Sequence, residues 1–158
     1  MTKVKMKTDA RFNAGLKVRR EVLGNERVDK AFAGITEFTA AFQEYVTRDA
    51  WGDIWGRKQL DRRARSIVTL SILTALRIEE ELAGHVKGAI RNGLTPTEIS
   101  EIILQAAVYA GVPSAYGAIR VAQRTLAEMG FKEAMLLAAA KPAAKNAAAA
   151  RKRARSRR

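Results

Sequence analysis

The 158-residue chain contains no cysteine and a single histidine, and both scarcities restrict its chemistry. Without cysteine, disulfide bonds, thiolate metal sites and thiol redox reactions are excluded. One histidine excludes a multi-histidine metal site within one chain. No run of about twenty apolar residues occurs, so the sequence predicts no membrane-spanning helix. No apolar segment follows the N-terminal lysines, so we expect no secretory signal and a cytoplasmic location.

Basic residues outnumber acidic residues by 29 to 16, but the excess lies at the two ends of the chain. Residues 141–158 carry eight basic residues and no acidic one, and residues 1–8 carry three lysines. Residues 9–140 hold 18 basic and 16 acidic residues, so this segment is nearly neutral. We therefore predict a disordered lead-in over residues 1–8, a single helical domain over residues 9–140 and a disordered basic tail of Ala, Lys and Arg over residues 141–158.

Apolar residues recur at three- and four-residue steps along the predicted domain, which is typical of amphipathic helices. Thr36 and Asp61 are suitable N-caps, and Thr95-Pro96-Thr97-Glu98 has the form of a capping box with proline at the first helical position. No strand-like alternation is present. We predict an all-α fold, an antiparallel helical bundle. The helix containing residues 67–76 is apolar on nearly every side, which indicates a central position or an oligomer interface.

The densest polar cluster on a core-forming helix is Glu79-Glu80-Glu81, followed by His85. Glu81 and His85 are four residues apart and share one helix face. A carboxylate beside an imidazole tunes its pKa and fixes one tautomer, and at the edge of an apolar pocket such a pair can deliver a proton. The structural alternative is that the three acids complement the helix dipole and the histidine only packs.

Two tryptophans and a group of arginines are further candidates for a binding site. Trp51 and Trp55 are four residues apart and face the same way, so they either line a ligand pocket or form part of the core. Arg62, Arg63 and Arg65 cannot all lie on one helix face. One of them could bind an anionic substrate through two hydrogen bonds while the others are solvated.

Five stretches of residues 15–123 resemble, in their order and spacing, the carboxymuconolactone decarboxylase family. They are Val18-Arg19-Arg20-Glu21-Val22-Leu23-Gly24, Ala50-Trp51-Gly52-Asp53-Ile54-Trp55, Leu60-Asp61-Arg62-Arg63-Ala64-Arg65-Ser66, Glu79-Glu80-Glu81-Leu82-Ala83-Gly84-His85 and Val108-Tyr109-Ala110-Gly111-Val112-Pro113. Peroxidase-like members of this broad family use a Cys-x-x-Cys pair ahead of a histidine. That branch is excluded here because the chain has no cysteine.

The resemblance implies an all-α subunit that assembles as a homo-oligomer, either a hexamer or a trimer of dimers. It implies a carboxy-lyase that converts the small molecule 4-carboxymuconolactone to 3-oxoadipate enol-lactone and carbon dioxide in protocatechuate catabolism, the β-ketoadipate pathway. No metal or organic cofactor is implied.

The resemblance also suggests residue roles. His85 is placed as general acid or oxyanion donor and Glu81 as the group that orients it. Trp51 and Trp55 form the pocket wall, and Arg62 or Arg65 binds a substrate carboxylate.

The stretch Ser114-Ala115-Tyr116 departs from the pattern, because the family often has a small pair and then asparagine there. Tyr116 could narrow the site or add a hydroxyl donor, which leaves a second hypothesis: a related decarboxylase or isomerase acting on another small carboxylate. A third hypothesis is a non-enzymatic helical oligomer that binds nucleic acid through its basic tail. The near neutrality of residues 9–140 and the absence of aromatic residues in the tail argue against nucleic acid.

Overall fold

The computed structural model describes residue 4 and residues 6–132. Every regular element in that part of the chain is helical, which confirms the predicted all-α fold. The elements are α1 (Ala10–Leu23), α2 (Asn25–Ala33), α3 (Glu37–Tyr45), a π-helical segment (Val46–Ile54), α4 (Arg62–Leu76), α5 (Glu79–Arg91), α6 (Pro96–Ala110) and α7 (Val112–Glu128). The predicted basic tail of residues 141–158 lies outside the described residues, as do residues 1–3 and 5 of the lead-in.

Local side-chain chemistry sets the start of two helices as the sequence predicted. The Asp61 side chain accepts a hydrogen bond from the Ala64 backbone N–H at 2.7 Å, which caps α4. Thr95 and Glu98 form the capping box of α6. The Glu98 N–H donates to the Thr95 hydroxyl at 3.2 Å, and the Thr95 N–H donates to the Glu98 carboxylate at 2.9 Å. These bonds satisfy N–H groups that have no partner within the helix.

Helix α3 continues directly into the π-helical segment. In this segment each backbone N–H bonds to the carbonyl five residues earlier, as the Trp55 N–H does to the Ala50 carbonyl at 2.9 Å. Thr36 is the N-cap of α3, as the sequence predicted, but the turns that lead to the two tryptophans are wider than those of an α-helix. Nine residues are too few for apolar spacing to distinguish the two helix types. Segments of this kind occur frequently at functional sites.

The apolar side chains form two adjoining cores. The larger lies among α4, α5, α6 and α7, and its most deeply buried members are Leu70, Leu82, Val86, Ala89, Ile99 and Ile103. The smaller lies among α1, α2 and the π-helical segment, and its buried members are Val22, Leu23, Val28 and Trp51. Helix α5 packs against both α1 and α7, so it connects the two cores.

Helix α1 and the π-helical segment cross at two glycines. A Cβ atom on Gly15 would overlap the carbonyl oxygen of Thr47 and would lie 2.9 Å from the backbone nitrogen of Gly52. A Cβ atom on Gly52 would lie 3.2 Å from the carbonyl oxygen of Arg11. The two backbones are therefore in direct contact, and a side chain at Gly15 would force them apart.

Exposed apolar side chains form two stripes on the larger half of the molecule. One stripe is Val68, Ile72 and Leu76 on α4, and the other is Leu104 and Val108 on α6. Helices α4 and α6 pack against each other, so the stripes lie on neighbouring elements. Within one subunit α4 buries only the face that carries Leu70, and burial of its other apolar face requires a further partner. No helix among residues 6–132 is long and apolar enough to cross a bilayer.

We expect Gly15→Ala to lower the free energy of unfolding by about 2 kcal/mol or more, because a methyl group cannot fit against fixed backbone without strain. Gly34→Ala is the matched control, since its new methyl group would meet no atom closer than 3.8 Å. Its effect should stay within about 0.5 kcal/mol. Urea unfolding followed by circular dichroism measures both variants, and equal midpoints would show that the crossing tolerates a side chain.

Candidate active site

A cavity of about 700 Å³ lies among α1, α2, the π-helical segment and α5. Four of the site residues predicted from the sequence line it: Trp51, Trp55, Glu81 and His85. Trp51 lies in the π-helical segment and Trp55 directly follows it, whereas Glu81 and His85 lie on α5, which is distant in sequence. The structure therefore brings together the predicted aromatic wall and the predicted proton-transfer pair.

The His85 imidazole lies beside both tryptophan rings. The ring centroids of Trp51 and Trp55 are 5.1 Å apart. The His85 ring centroid is 6.2 Å from that of Trp51, with only 6° between the ring planes, and 6.3 Å from that of Trp55. The Trp51 and His85 rings are thus nearly parallel at the cavity wall, and the Trp55 ring is tilted by 26° from the imidazole. This arrangement holds the imidazole in a defined plane against an apolar surface.

Burial is the main influence on the charge of His85. It lowers the pKa of His85 below its ordinary value of 6.5, because the imidazolium loses hydration there. The carboxylate of Glu81 raises this pKa and the guanidinium of Arg27 lowers it, and both effects are smaller than that of burial. In the unliganded protein at neutral pH, His85 is therefore uncharged.

Glu81 does not orient His85 through a hydrogen bond, contrary to the role expected from the resemblance. Its carboxylate instead accepts a hydrogen bond from Nη2 of Arg27 at 2.9 Å. The Arg27 guanidinium also packs on Gly84, where a Cβ atom would lie 2.8 Å from Nε of Arg27 and closer still to other guanidinium atoms. Glu81 thus acts on the imidazole through its charge, and the stacked tryptophans orient the ring.

Arg19 is a site residue that sequence reasoning missed. It is only 7% exposed, yet it lines the cavity. Its Nη1 donates hydrogen bonds to the Gln43 side-chain oxygen and to the Thr47 hydroxyl, both at 3.0 Å. A signal was present in the sequence, because Arg19 continues the face of α1 that Phe12, Gly15 and Val22 bury. A charged residue on a buried helix face needs a partner or a function.

The other three predicted site residues lie away from this cavity within one subunit. Arg62 pairs with Glu21, and Nη2 of Arg65 donates to the Arg57 carbonyl at 3.3 Å. Tyr116 is 63% exposed on α7. The resemblance suggested Arg62 or Arg65 as the carboxylate-binding residue. The arginines that line the cavity are instead Arg19 and Arg27.

Among residues 6–132, no three His, Asp or Glu side chains are grouped so that they could hold a metal ion. The charged groups of the cavity suit an organic anion better. Arg19, Arg27 and Lys30 contribute three cations to its lining, and two glutamates oppose them. The arrangement can therefore bind a small anion next to an imidazole on an aromatic wall.

Comparisons with known proteins identify the family of this chain. The model of the carboxymuconolactone decarboxylase family matches residues 40–124. A 4-carboxymuconolactone decarboxylase from Acinetobacter baylyi is 38% identical over 126 residues, which is 80% of this chain and 94% of that protein. A nitrosuccinic acid decarboxylase from Metarhizium robertsii is 46% identical over 118 residues, 75% of this chain and 82% of that protein. The chain therefore belongs to the carboxymuconolactone decarboxylase family.

Proposed function

We propose that this carboxy-lyase converts 4-carboxymuconolactone to 3-oxoadipate enol-lactone and carbon dioxide in protocatechuate catabolism. The observation that carries the proposal is the position of His85, stacked beside Trp51 and Trp55 at the wall of a cavity large enough for a small lactone. The Acinetobacter baylyi relative, which is similar over nearly its whole length, supports this substrate.

The proposed reaction needs a stabilised carbanion and a proton. The bond between the ring carbon and the scissile carboxylate breaks, and its electron pair stays on the ring carbon. The pair then spreads through the ring double bond onto the lactone carbonyl, which gives a dienolate, while carbon dioxide leaves. A proton added to the carbon next to that carbonyl completes the enol-lactone. The protein must therefore hold the substrate, stabilise the oxyanion and donate one proton.

His85 is suited to the last two tasks. It is neutral in the unliganded protein because it is partly buried and its imidazolium form loses hydration. A substrate with two carboxylates brings negative charge into the cavity, which favours the imidazolium. The imidazolium then hydrogen-bonds the developing oxyanion and donates its proton to carbon. Trp51 and Trp55 keep water from this region, and electrostatic interactions are stronger in such surroundings.

Nitrosuccinate is a second candidate substrate, favoured by the Metarhizium robertsii relative. Its decarboxylation would follow the same course as that of 4-carboxymuconolactone. The electron pair left by the departing carboxylate moves onto the nitro group as a nitronate, and a proton is then added to the same carbon. The same imidazole could serve both reactions, because each passes through an anion whose charge lies on oxygen.

A homo-oligomer is the remaining part of the proposal. The exposed stripes on the neighbouring helices α4 and α6 are apolar surface of the kind that marks protein interfaces. A second copy of this chain is the proposed occupant, as the family resemblance implies. Burial of these stripes between subunits accounts for the apolar character of α4 outside the core of one subunit.

His85→Ala should lower kcat by a factor on the order of a hundred or more, because the proton donor is lost. Lys87→Ala is the control on the same helix, since Lys87 pairs with Glu128 outside the cavity. Loss of lactone absorbance with 4-carboxymuconolactone, and carbon dioxide release with nitrosuccinate, measure the two candidate reactions. Near-normal turnover by a folded His85→Ala variant would remove His85 from the mechanism. Turnover of neither substrate by the unmodified protein would contradict the proposed function.

The pH dependence of kcat/KM should report the lowered pKa of His85. The free enzyme loses the imidazolium proton below pH 6.5, so kcat/KM should fall as the pH rises through that pKa. The bound dianion favours the imidazolium, so kcat should persist to higher pH than kcat/KM. Profiles measured between about pH 5 and 8 test this. A kcat/KM that increases with pH across the range would mean that the neutral imidazole is the active form.

Leu104→Glu should dissociate the oligomer, because Leu104 is 61% exposed in one subunit and a carboxylate cannot be buried unpaired in an apolar interface. Gln105→Glu places the same charge at the adjacent, exposed position of α6 and serves as control. Light scattering during size-exclusion chromatography gives the masses. A monomeric unmodified protein, or equal masses for the two variants, would contradict this interface.

A further inference from the structure

Arg19 is a buried cation whose protein partners are all neutral. It is 7% exposed, and its hydrogen-bond acceptors are the side chains of Gln43 and Thr47. Its guanidinium lies over the Phe32 ring, with Cζ 5.6 Å from the centroid. A charge removed from water in this way is costly unless an opposite charge compensates it. No carboxylate bonds to Arg19 within residues 6–132.

The unpaired edge of the Arg19 guanidinium has the geometry of a carboxylate receptor. Among residues 6–132, the hydrogen bonds that Arg19 donates from its side chain both use Nη1. Nε is buried without a partner in the described part of the chain. Nε and Nη2 form one edge of the planar guanidinium, which is an edge that binds a carboxylate through two parallel N–H···O bonds. The Phe32 ring restricts the tilt of that plane.

The other cations of the cavity are not equivalent to Arg19. Arg27 is compensated by Glu81 at 2.9 Å. Lys30 is exposed, so water solvates its charge. Burial lowers the pKa of Arg19 and Arg27 lowers it further, whereas Glu81 raises it by less than either. A guanidinium remains charged even so, which leaves Arg19 as the deepest uncompensated charge facing the cavity.

The two candidate substrates share one structural unit. In 4-carboxymuconolactone, the ring carbon that carries the scissile carboxylate also carries a CH₂–COO⁻ group. In nitrosuccinate, the carbon between the nitro group and the scissile carboxylate carries the same CH₂–COO⁻ group. Each is therefore a succinate with an electron-accepting substituent at carbon 2. Each product retains the CH₂–COO⁻ group.

A strong cation belongs at the retained carboxylate and not at the scissile one. The scissile carboxylate gives up its charge as the bond breaks, so an ion pair there stabilises the substrate more than the transition state and slows the reaction. The retained carboxylate keeps its charge throughout, so an ion pair there anchors substrate and transition state equally. Anchoring by Arg19 leaves the scissile group free to lie at the apolar wall of Trp51 and Trp55.

We infer that Arg19 binds the retained carboxylate and that the cavity is specific for succinates carrying an electron-accepting substituent at carbon 2. The inference deepens the proposed function and rests on it for the chemistry at the other carboxylate. It also predicts that succinate itself, which has the shared unit but no accepting substituent, binds without reacting.

Tryptophan fluorescence is the direct binding assay, because the chain has only two tryptophans and both line the cavity. Succinate should change the emission of the full-length protein and should compete with substrate. Succinamide, in which neutral amides replace both carboxylates, should bind on the order of 30-fold or more weakly, because nothing is left to pair with Arg19. This comparison needs no variant. Failure of succinate to bind the unmodified protein, or equal binding of succinamide, overturns the inference.

Arg19→Met keeps the apolar stem and removes the guanidinium, so it should weaken succinate binding on the order of 30-fold or more. Arg20→Met is the matched control on the same helix, because Arg20 pairs with Asp29 at 2.6 Å and does not line the cavity. Circular dichroism shows whether each variant is folded. Unchanged binding by folded Arg19→Met, or loss of binding in Arg62→Met instead, overturns the inference.

Kinetics separate this inference from the proposed function. An anchor that acts equally on substrate and transition state raises KM when it is removed and changes kcat much less. Arg19→Met should show that pattern, whereas loss of the proton donor lowers kcat. Turnover of a candidate substrate with an unchanged KM in Arg19→Met refutes the anchor and leaves the decarboxylase intact. Arg19-dependent succinate binding without turnover of either substrate refutes the proposed function and leaves the anchor intact.

Discussion

The close crossing of α1 and the π-helical segment is the constraint on which the site depends. Because Gly15 has no side chain, the two backbones touch there. Arg19 lies one turn further along the same face of α1, so the crossing brings its guanidinium to the Thr47 hydroxyl. The same segment carries Trp51, between the contact residues Thr47 and Gly52, and Trp55 directly follows its end. A wider separation would move the charged group and the aromatic wall apart.

The cavity combines groups that are individually unfavourable in a folded protein. The Arg19 guanidinium is buried with neutral partners. The loss of hydration at the His85 imidazole lowers its pKa below 6.5. Both are stabilised by the same event, the arrival of an anion. A ligand carboxylate compensates Arg19, and its negative charge favours the imidazolium of His85. The apolar tryptophan faces strengthen these interactions because they exclude water, so substrate charge itself prepares the proton donor.

The sequence was sufficient to predict the fold class, the caps at Asp61 and Thr95, and the four candidate site residues that line the cavity. Those features depend on local spacing and on the family pattern. The pairing of Glu81 with Arg27 and the buried position of Arg19 depend on contacts between residues 24 to 54 positions apart, which spacing along one helix does not reveal. The family pattern suggested Arg62 or Arg65, near a predicted helix start, for carboxylate binding. In the structure, however, the charge of Arg62 is paired with that of Glu21.

The most direct measurement of the central claim is an NMR titration of the imidazole, which is unambiguous because the chain has one histidine. The account predicts a pKa below 6.5 in the unliganded protein and a clear increase when succinate is bound. An ordinary pKa of about 6.5 that does not respond to succinate would show that His85 lies in water, remote from the ligand, and would contradict the account.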